Sequence, residues 1–321
     1  MKYGAWIHER GLSLDEQVRV AKKSGLSAIR SYSLDYSQRA APVLAQHGLS
    51  LLAGLHVDGE SLAADWRSQV HLDELAATTN LGVDLEGICV GNELRQGGDA
   101  ADKKQFTARL SFGLANVIRT YRHWLDEKGF SVPLTYAMEG IVYDPFGTFH
   151  EWMWPLIDAC DVVSVNLYPM GVPEWFTFGA FDESRRFLTD QRVRNDRLAL
   201  FEIQLRRVLE QLESAGKPMI FSETGFPSAT GYRIEEELVI PETDNILFAS
   251  AMEEFLKRIR MVNADFKGRI QALYFYEWRD NLFHSKISNV EQSPIHVAFG
   301  LCDRLGNPKL DIRKLLSEAD A

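Results

Sequence analysis

Four glutamates of this 321-residue chain follow short apolar runs. Because a buried ionisable side chain is unfavourable unless it is paired, carboxylates without a role are expected to scatter over the surface, chiefly on helices. These four instead recur where apolar runs end, which indicates a functional cluster. Its members are Glu93 after residues 86–91, Glu139 after 132–137, Glu223 after 218–222 and Glu277 after 270–276.

Two opposed carboxyls can cleave a glycosidic bond. One must be protonated, to give a proton to the leaving oxygen, and the other must be ionised, to attack the anomeric carbon or to activate water. Their surroundings separate the two pKa values, since burial and a neighbouring negative charge hold a proton on one of them. Glu93 and Glu223 are the candidates because the fourth and seventh strands are expected to lie across a barrel mouth from each other.

The elements that must position these carboxyls alternate along the chain. Ser13 and Glu16 predict a capped helix start, with Gly25 as its end, and Pro42 predicts a kinked or shortened second helix. Further helices are predicted over 61–80, 103–127, 198–215, 244–263 and 309–318 from their apolar spacing. Strand-like runs lie between them at 3–7, 28–32, 50–55, 86–91, 132–137, 161–167, 218–222 and 270–276.

Eight alternating units predict an α/β fold, a single (β/α)8 TIM barrel with an extended loop after strand six, in which residues 1–321 form one catalytic domain. A doubly wound open sheet is the alternative, but no Gly-x-Gly-x-x-Gly follows the first strand. The extended loop runs from Pro169 to about Arg197 and carries Trp175. Its aromatic residues form a sugar platform or lid, or else pack as a small satellite core.

Composition limits the partners. A net charge of −10 argues against nucleic acid and against an anionic membrane, because both need a cationic face. The three cysteines, Cys89, Cys160 and Cys302, lack metal or redox spacing and are expected to be reduced and mostly buried. No apolar run of signal-peptide or membrane-spanning length occurs, so a cytoplasmic protein is expected. The oligomeric state stays open.

Several short motifs resemble clan A glycoside hydrolases, and most of all family 17, the β-1,3-glucanases. Gly91-Asn92-Glu93 resembles the Gly-Asn-Glu signature after strand four. Residues 222–228, Ser-Glu-Thr-Gly-Phe-Pro-Ser, are similar to the family's Ser-Glu-Thr-Gly-Trp-Pro-Ser. Residues 166–169 resemble its Asn-x-Tyr-Pro, and residues 29–32 resemble its Ile-Arg-x-Tyr. The matches follow the family's order across nearly the whole chain.

The resemblance implies a retaining glycosidase or transglycosylase for β-linked glucosides or β-glucan oligosaccharides, with no cofactor and no metal. Glu93 would be the acid/base and Glu223 the nucleophile, with carboxyls ~5–5.5 Å apart. Asn92 would bind the sugar 2-hydroxyl and Tyr168 would orient Glu223. The remaining expected substrate contacts are Arg30, Tyr32, Asn166, Trp175, Glu277 and Trp278.

The sequence departs from family 17 after strand eight, where Tyr276-Glu277-Trp278 replaces Phe-Asp-Glu. Trp278 there resembles the strand-eight Trp of other clan A enzymes, which stacks on the sugar, and a core aromatic is its alternative interpretation. Glu277 either binds sugar hydroxyls or pairs with Arg30 or Arg279. These changes leave the sugar and the linkage open.

Two other functions remain as alternatives. A metal-dependent sugar isomerase or epimerase could bind an ion through the four glutamates, although only His56 and Asp58 could add to them and no His-Glu-x-x-His occurs. A non-catalytic carbohydrate-binding barrel needs one such carboxyl at most, whereas both candidate catalytic glutamates are present. Loss of activity on chelation would favour the first alternative, and turnover of an activated aryl glycoside would exclude the second.

Overall fold

Eight parallel strands close into a barrel in the computed structural model of this chain, which describes residues 1–9, 11–94, 106–139, 147–169, 180–235, 238–281 and 296–317. Around the barrel the strands follow the order β1-β10-β7-β6-β5-β4-β3-β2. The predicted (β/α)8 TIM barrel is therefore confirmed. Its strands are β1 (Lys2–Trp6), β2 (Ala28–Arg30), β3 (Ser50–Leu55), β4 (Leu85–Asn92), β5 (Leu134–Glu139), β6 (Val163–Asn166), β7 (Met219–Thr224) and β10 (Ile270–Phe275).

Helices connect the strands and pack around them. The first begins as predicted, because the Ser13 side chain accepts a hydrogen bond from the Glu16 N–H. The helices are α1 (Leu14–Lys23), α2 (Leu34–His47), α3 (Gly59–Ala64), α4 (Leu72–Thr79), α5 (Ala108–Lys128), α6 (Trp154–Ala159), α7 (Ala180–Thr189), α8 (Gln191–Ser214), α9 (Asn245–Asp265) and α10 (Ile312–Ser317).

Two helix predictions differ from the structure. α2 is not shortened at Pro42: it continues for 14 residues, because its buried face, including Ala40, Ala41 and Leu44, packs on the barrel and offsets the missing backbone donor. Residues 61–80 do not form one helix. The Asp65 side chain accepts a hydrogen bond from the backbone of the next turn, so the chain breaks into α3, a 3-10 turn at Trp66–Gln69 and α4.

The connection after β6 ends earlier than predicted, because α7 already begins at Ala180. Trp175 lies outside the described residues. Phe181, from the same segment, is buried, and its ring meets that of Tyr232 edge-on at 5.0 Å. That contact fits the satellite-core interpretation for this residue.

An antiparallel hairpin that the sequence pattern did not reveal follows β7. Its strands are β8 (Ala229–Glu235) and β9 (Leu238–Thr243). Most of β8 is exposed, so it carries no apolar run by which a strand could be recognised. Tyr232 of β8 is the residue that contacts Phe181, so the hairpin packs against the start of α7.

A close approach inside the barrel requires one glycine. A Cβ atom on Gly4 would lie 2.5 Å from the ring of Tyr274, which fills the interior beside β1. The three cysteines are buried and free, as predicted. In the described ranges, no helix combines the length and the apolar character needed to cross a membrane.

Candidate active site

A bulge at the end of β4 brings two adjacent side chains to one place. The pairing of β4 with β5 shifts register between Cys89 and Asn92, and both Gly91 and Glu93 have left-handed backbones, with φ of 81° and 47°. The Glu93 N–H donates to the Ala137 carbonyl at 3.1 Å, which holds this conformation. Because side chains of a regular strand alternate between faces, the bulge is what lets Asn92 and Glu93 reach the same partner.

That partner is Asn166, at the end of β6. Its amide nitrogen donates to Glu93 Oε1 at 2.8 Å and lies 3.3 Å from Asn92 Oδ1. Ser222 Oγ donates to Asn166 Oδ1 at 2.7 Å, and this bond turns the amide nitrogen of Asn166 towards Glu93. Sequence patterns had assigned no role to Ser222, although its position directly before Glu223 was a usable signal.

Glu223, in β7, accepts three side-chain hydrogen bonds that hold both of its carboxyl oxygens. Arg30 Nη1 and the Tyr32 hydroxyl donate to Oε1 at 2.7 and 2.9 Å. The Tyr168 hydroxyl donates to Oε2 at 2.8 Å, as the resemblance implied for an orienting tyrosine. Charge-assisted bonds of this kind stabilise a negative charge on Glu223.

The donors around Glu223 keep their protons. Burial and the charge of Glu223 raise the pKa of Tyr168 well above its ordinary value. Burial likewise raises the pKa of Tyr32, although the neighbouring Arg30 opposes the shift. For Arg30, burial alone would lower the pKa, but Tyr32 and Glu223 raise it above its ordinary value. All three therefore donate across the physiological pH range.

One hydrogen-bonded path joins the two candidate catalytic carboxyls. It runs from Glu93 through Asn166 and Asn92 to Arg30, whose Nη2 donates to Asn92 Oδ1 at 2.6 Å, and then from Arg30 Nη1 to Glu223. Strands β2, β4, β6 and β7 contribute to this path. Side chains from distant parts of the sequence thus share one network at the carboxyl ends of the strands, where barrel enzymes bind substrates.

Three predicted substrate contacts have almost no exposed surface. Arg30 and Trp278 are each 1% exposed, and Glu277 is fully buried. Arg30 instead positions Glu223. Trp278 lies in the hydrophobic core, where backbone bonds to Trp6 and Cys302 tie it between β1 and the C-terminal segment. Its geometry fits the core-aromatic interpretation and leaves no ring face for a sugar.

Glu277 belongs to a second polar cluster, separate from the path around Glu223. Its carboxyl oxygens accept no hydrogen bond from the described residues, and His8 Nε2 lies 3.9 Å from Oε2. Burial and the charge of Asp280 raise the pKa of Glu277 well above its ordinary value, which favours the protonated acid. Asp280 itself accepts a hydrogen bond from Lys309 Nζ at 2.5 Å. Because Glu277 is fully buried, it has no exposed surface to contact a sugar. Arg30 pairs with Glu223 and Asn92 rather than with Glu277.

His56 and Asp58 were the two side chains that could add to the glutamates in a metal site. His56 is exposed, and Asp58 caps α3 by accepting a hydrogen bond from the Ser61 N–H at 2.8 Å. Within the part of the chain that the structure describes, no three His, Cys, Asp or Glu residues are grouped so that they could hold a metal ion.

Two aromatic residues beside the network were not identified as site residues from the sequence. Trp6, at the end of β1, lies parallel to Tyr276, which follows β10, with ring centroids 5.8 Å apart. Trp6 also makes an edge-to-face contact with the ring of Tyr32, with ring centroids 5.4 Å apart. The signal in the sequence was the position of Trp6 at the carboxyl end of the first strand, where it is the last residue of β1.

Comparisons with known proteins give structural neighbours but no sequence relatives. Neither a protein-family model nor a curated protein matches the chain. An endo-laminarinase from Formosa Hel1_33_131 is similar in structure, with 16% identity, a TM-score of 0.66, and coverage of 99% of this chain and 87% of that one. A β-glucuronidase from Ruminococcus gnavus has 14% identity and a TM-score of 0.65, over 99% of this chain and 49% of that one.

A β-D-glucuronidase from Dictyoglomus thermophilum is also similar, with 17% identity and a TM-score of 0.63, over 100% of this chain and 50% of that one. The chain thus spans about half the length of the glucuronidases and most of the laminarinase. At these identities the likeness establishes the barrel fold.

Proposed function

We propose that this chain is a retaining glycoside hydrolase or transglycosylase for neutral β-linked glucosides, with Glu223 as nucleophile and Glu93 as acid/base. The observation that carries the proposal is the hydrogen-bonded path that joins these two carboxyls through Asn166, Asn92 and Arg30. The barrel neighbours named as an endo-laminarinase and as β-glucuronidases support the same reaction class, and the retained motifs of family 17 support a β-glucan substrate.

In the first step Glu223 attacks the anomeric carbon, while Glu93 gives its proton to the leaving oxygen. Tyr168, Tyr32 and Arg30 hold the Glu223 oxygens by the bonds described above, so the nucleophile needs little reorganisation before attack. A covalent glycosyl-enzyme intermediate forms, and the leaving group departs with the proton.

In the second step Glu93, now ionised, removes a proton from water or from an acceptor sugar, which attacks the anomeric carbon and releases Glu223. Asn166 donates to Glu93 Oε1 and therefore stabilises the ionised form that this step requires. Carboxyls ~5–5.5 Å apart are expected for this mechanism.

Asn92 is suited to bind the sugar 2-hydroxyl. Its Oδ1 accepts from Arg30 at 2.6 Å, which leaves its amide nitrogen directed away from Arg30. That nitrogen makes no hydrogen bond to a described residue, so it is available to a ligand. Bonds to this hydroxyl strengthen in the oxocarbenium-like transition state and contribute to the rate.

A neutral sugar fits the charges of the described mouth better than a uronic acid does. The path that crosses it carries two carboxyls, Glu93 and Glu223, and one cation, Arg30, which is buried. Arg30 is bonded to Glu223 and to Asn92, so it is not free to turn to a substrate carboxylate. We therefore expect aryl β-glucosides to react much faster than aryl β-glucuronides.

The test is azide rescue of Glu223→Ala. With an activated aryl β-glucoside, this variant should lose nearly all turnover, and added azide should restore it with an α-glycosyl azide as the product, identified by NMR. Glu93→Gln should spare the first step for good leaving groups. A Glu223→Ala variant that turns over at the wild-type rate would end the proposal.

A further inference from the structure

We propose that two copies of this chain associate through the outer edge of β8, with Ile234 on the two-fold axis between them. Among the described strands, β8 pairs with β9 alone. We call the last three residues of β8, Arg233, Ile234 and Glu235, the edge segment. The inference concerns assembly, so it goes beyond the proposed glycosidase activity.

The edge segment is exposed on both faces of the hairpin. Ile234 is 55% exposed, and the side chains of Arg233 and Glu235 are 54% and 56% exposed. Val239, which lies opposite Ile234 in β9, is fully buried. β9 is therefore the covered strand and β8 the exposed one. An exposed strand edge with an apolar residue is a template for pairing with another chain.

The backbone groups of β8 alternate in direction. Opposite residues of an antiparallel pair exchange hydrogen bonds only at every second position. Tyr232 lies opposite Pro241, which has no N–H to donate, so this pair is of the kind without such bonds. By the same alternation Ile234 and Val239 form a pair of that kind, which directs the N–H and C=O of Ile234 away from β9. A second strand can therefore form hydrogen bonds with Ile234.

The charges of the edge segment favour one antiparallel register between two copies. When Ile234 lies opposite its counterpart in the second copy, Arg233 of each copy faces Glu235 of the other. A shift of two residues in one direction places Arg233 opposite Arg233, and a shift in the other direction places Glu235 opposite Glu235. Opposite charges stabilise a cross-strand pair and like charges destabilise it, so the two-fold register is selected.

The single chain gives up little to make this contact. Arg233 Nε donates to Glu235 Oε1 at 2.6 Å within one copy. An exposed ion pair of this kind contributes little to stability, so its exchange for two pairs between copies costs little. The same patch then lies on both sides of the contact, as in the commonest class of symmetric dimer.

The experiment is analytical ultracentrifugation of the full chain, from about 1 µM to 1 mM. Wild type should form dimers with a Kd on the order of 10–100 µM, because a contact this short is smaller than a standard interface. Arg233→Glu and Glu235→Arg each bring like charges together at both cross-strand positions, so each should raise the Kd roughly tenfold or more. Ile234→Pro removes an outward N–H and should do the same.

The decisive measurement mixes Arg233→Glu with Glu235→Arg in equal amounts. Every Arg of one variant then faces a Glu of the other, so the mixture should regain the wild-type Kd. The controls are Arg207→Glu and Glu210→Arg, which change the net charge equally at an exposed ion pair of α8. Both controls should dimerise as wild type does.

Several outcomes would overturn the proposal. A wild type that stays monomeric over the whole range would do so, and so would a dimer that tolerates Arg233→Glu. Two reversed variants that remain monomeric when mixed would refute the register, and equal losses in the controls would indicate a net-charge effect instead. Because no measurement uses a glycoside, the result is independent of the proposed function.

Discussion

Glu223 and Glu277 occupy equivalent places and have opposite surroundings. Each lies at the carboxyl end of an apolar run, on β7 and just after β10, which are neighbours in the barrel. Glu223 accepts hydrogen bonds on both oxygens from Arg30, Tyr32 and Tyr168. Glu277 is fully buried and accepts none from the described residues, and His8 Nε2 lies 3.9 Å from its Oε2.

The comparison shows that position along the sequence brings a carboxyl to the mouth but does not decide its charge. Donors from β2 and from the segment after β6 stabilise a negative charge on Glu223. Burial and the charge of Asp280 raise the pKa of Glu277, which favours a neutral acid. The proposed nucleophile and a buried acid can therefore lie at the ends of two adjacent strands.

The largest expected effect is a difference in activity between variants of Glu223 and Glu277. Glu223→Gln should lower kcat on an aryl β-glucoside by ~10⁴-fold or more, because it removes the proposed nucleophile. Glu277→Gln replaces a neutral acid by a neutral amide of the same shape and should stay within about tenfold of wild type. Steady-state kinetics of both variants measure the two kcat values. Equal losses of kcat would show that Glu223 and Glu277 do not differ in function.

A smaller effect is expected when the charge beside Glu223 is removed. Arg30→Met should lower kcat roughly 10²- to 10³-fold, because Glu223 loses its cation and the path to Asn92 is cut. Arg30→Lys keeps the charge without the two-armed contact and should lie in between. Equal kcat values for Arg30→Met and the wild type would count against a positioning role for Arg30.

The smallest effect concerns stability at Glu277. Its folded pKa is raised above the ordinary 4.5, so its contribution to the free energy of unfolding is fully present below that value and is lost as pH rises through the folded pKa. Glu277→Gln should remove this decline, whose slope is at most about 1.4 kcal/mol per pH unit. Burial also raises the pKa of Asp280, to about 6, so its contribution to the free energy of unfolding falls with rising pH as well. Asp280 is present in both the wild type and Glu277→Gln. Chemical denaturation at several pH values measures the slopes, and identical slopes would show that Glu277 is not protonated on folding.

The barrel and the positions of the two carboxyls could be predicted from the sequence because each depends on residues that are close together in the chain. An apolar run marks a strand, and the residues after it reach the mouth. Contacts between distant strands could not be predicted in this way. Ser222 orients Asn166 of another strand, and Trp278 is buried because the C-terminal segment at Cys302 pairs with its backbone. The exposed strand β8 lacked the apolar run that would have revealed it.

The left-handed backbone of Glu93, with φ of 47°, places a limit on how this barrel can be improved. A glycine would adopt that conformation more easily and would remove the strain, but it would also remove the carboxyl. Selection or engineering for thermal tolerance alone would therefore favour the very replacement that abolishes the proposed proton transfer, so the carboxyl of Glu93 is kept at some expense in stability.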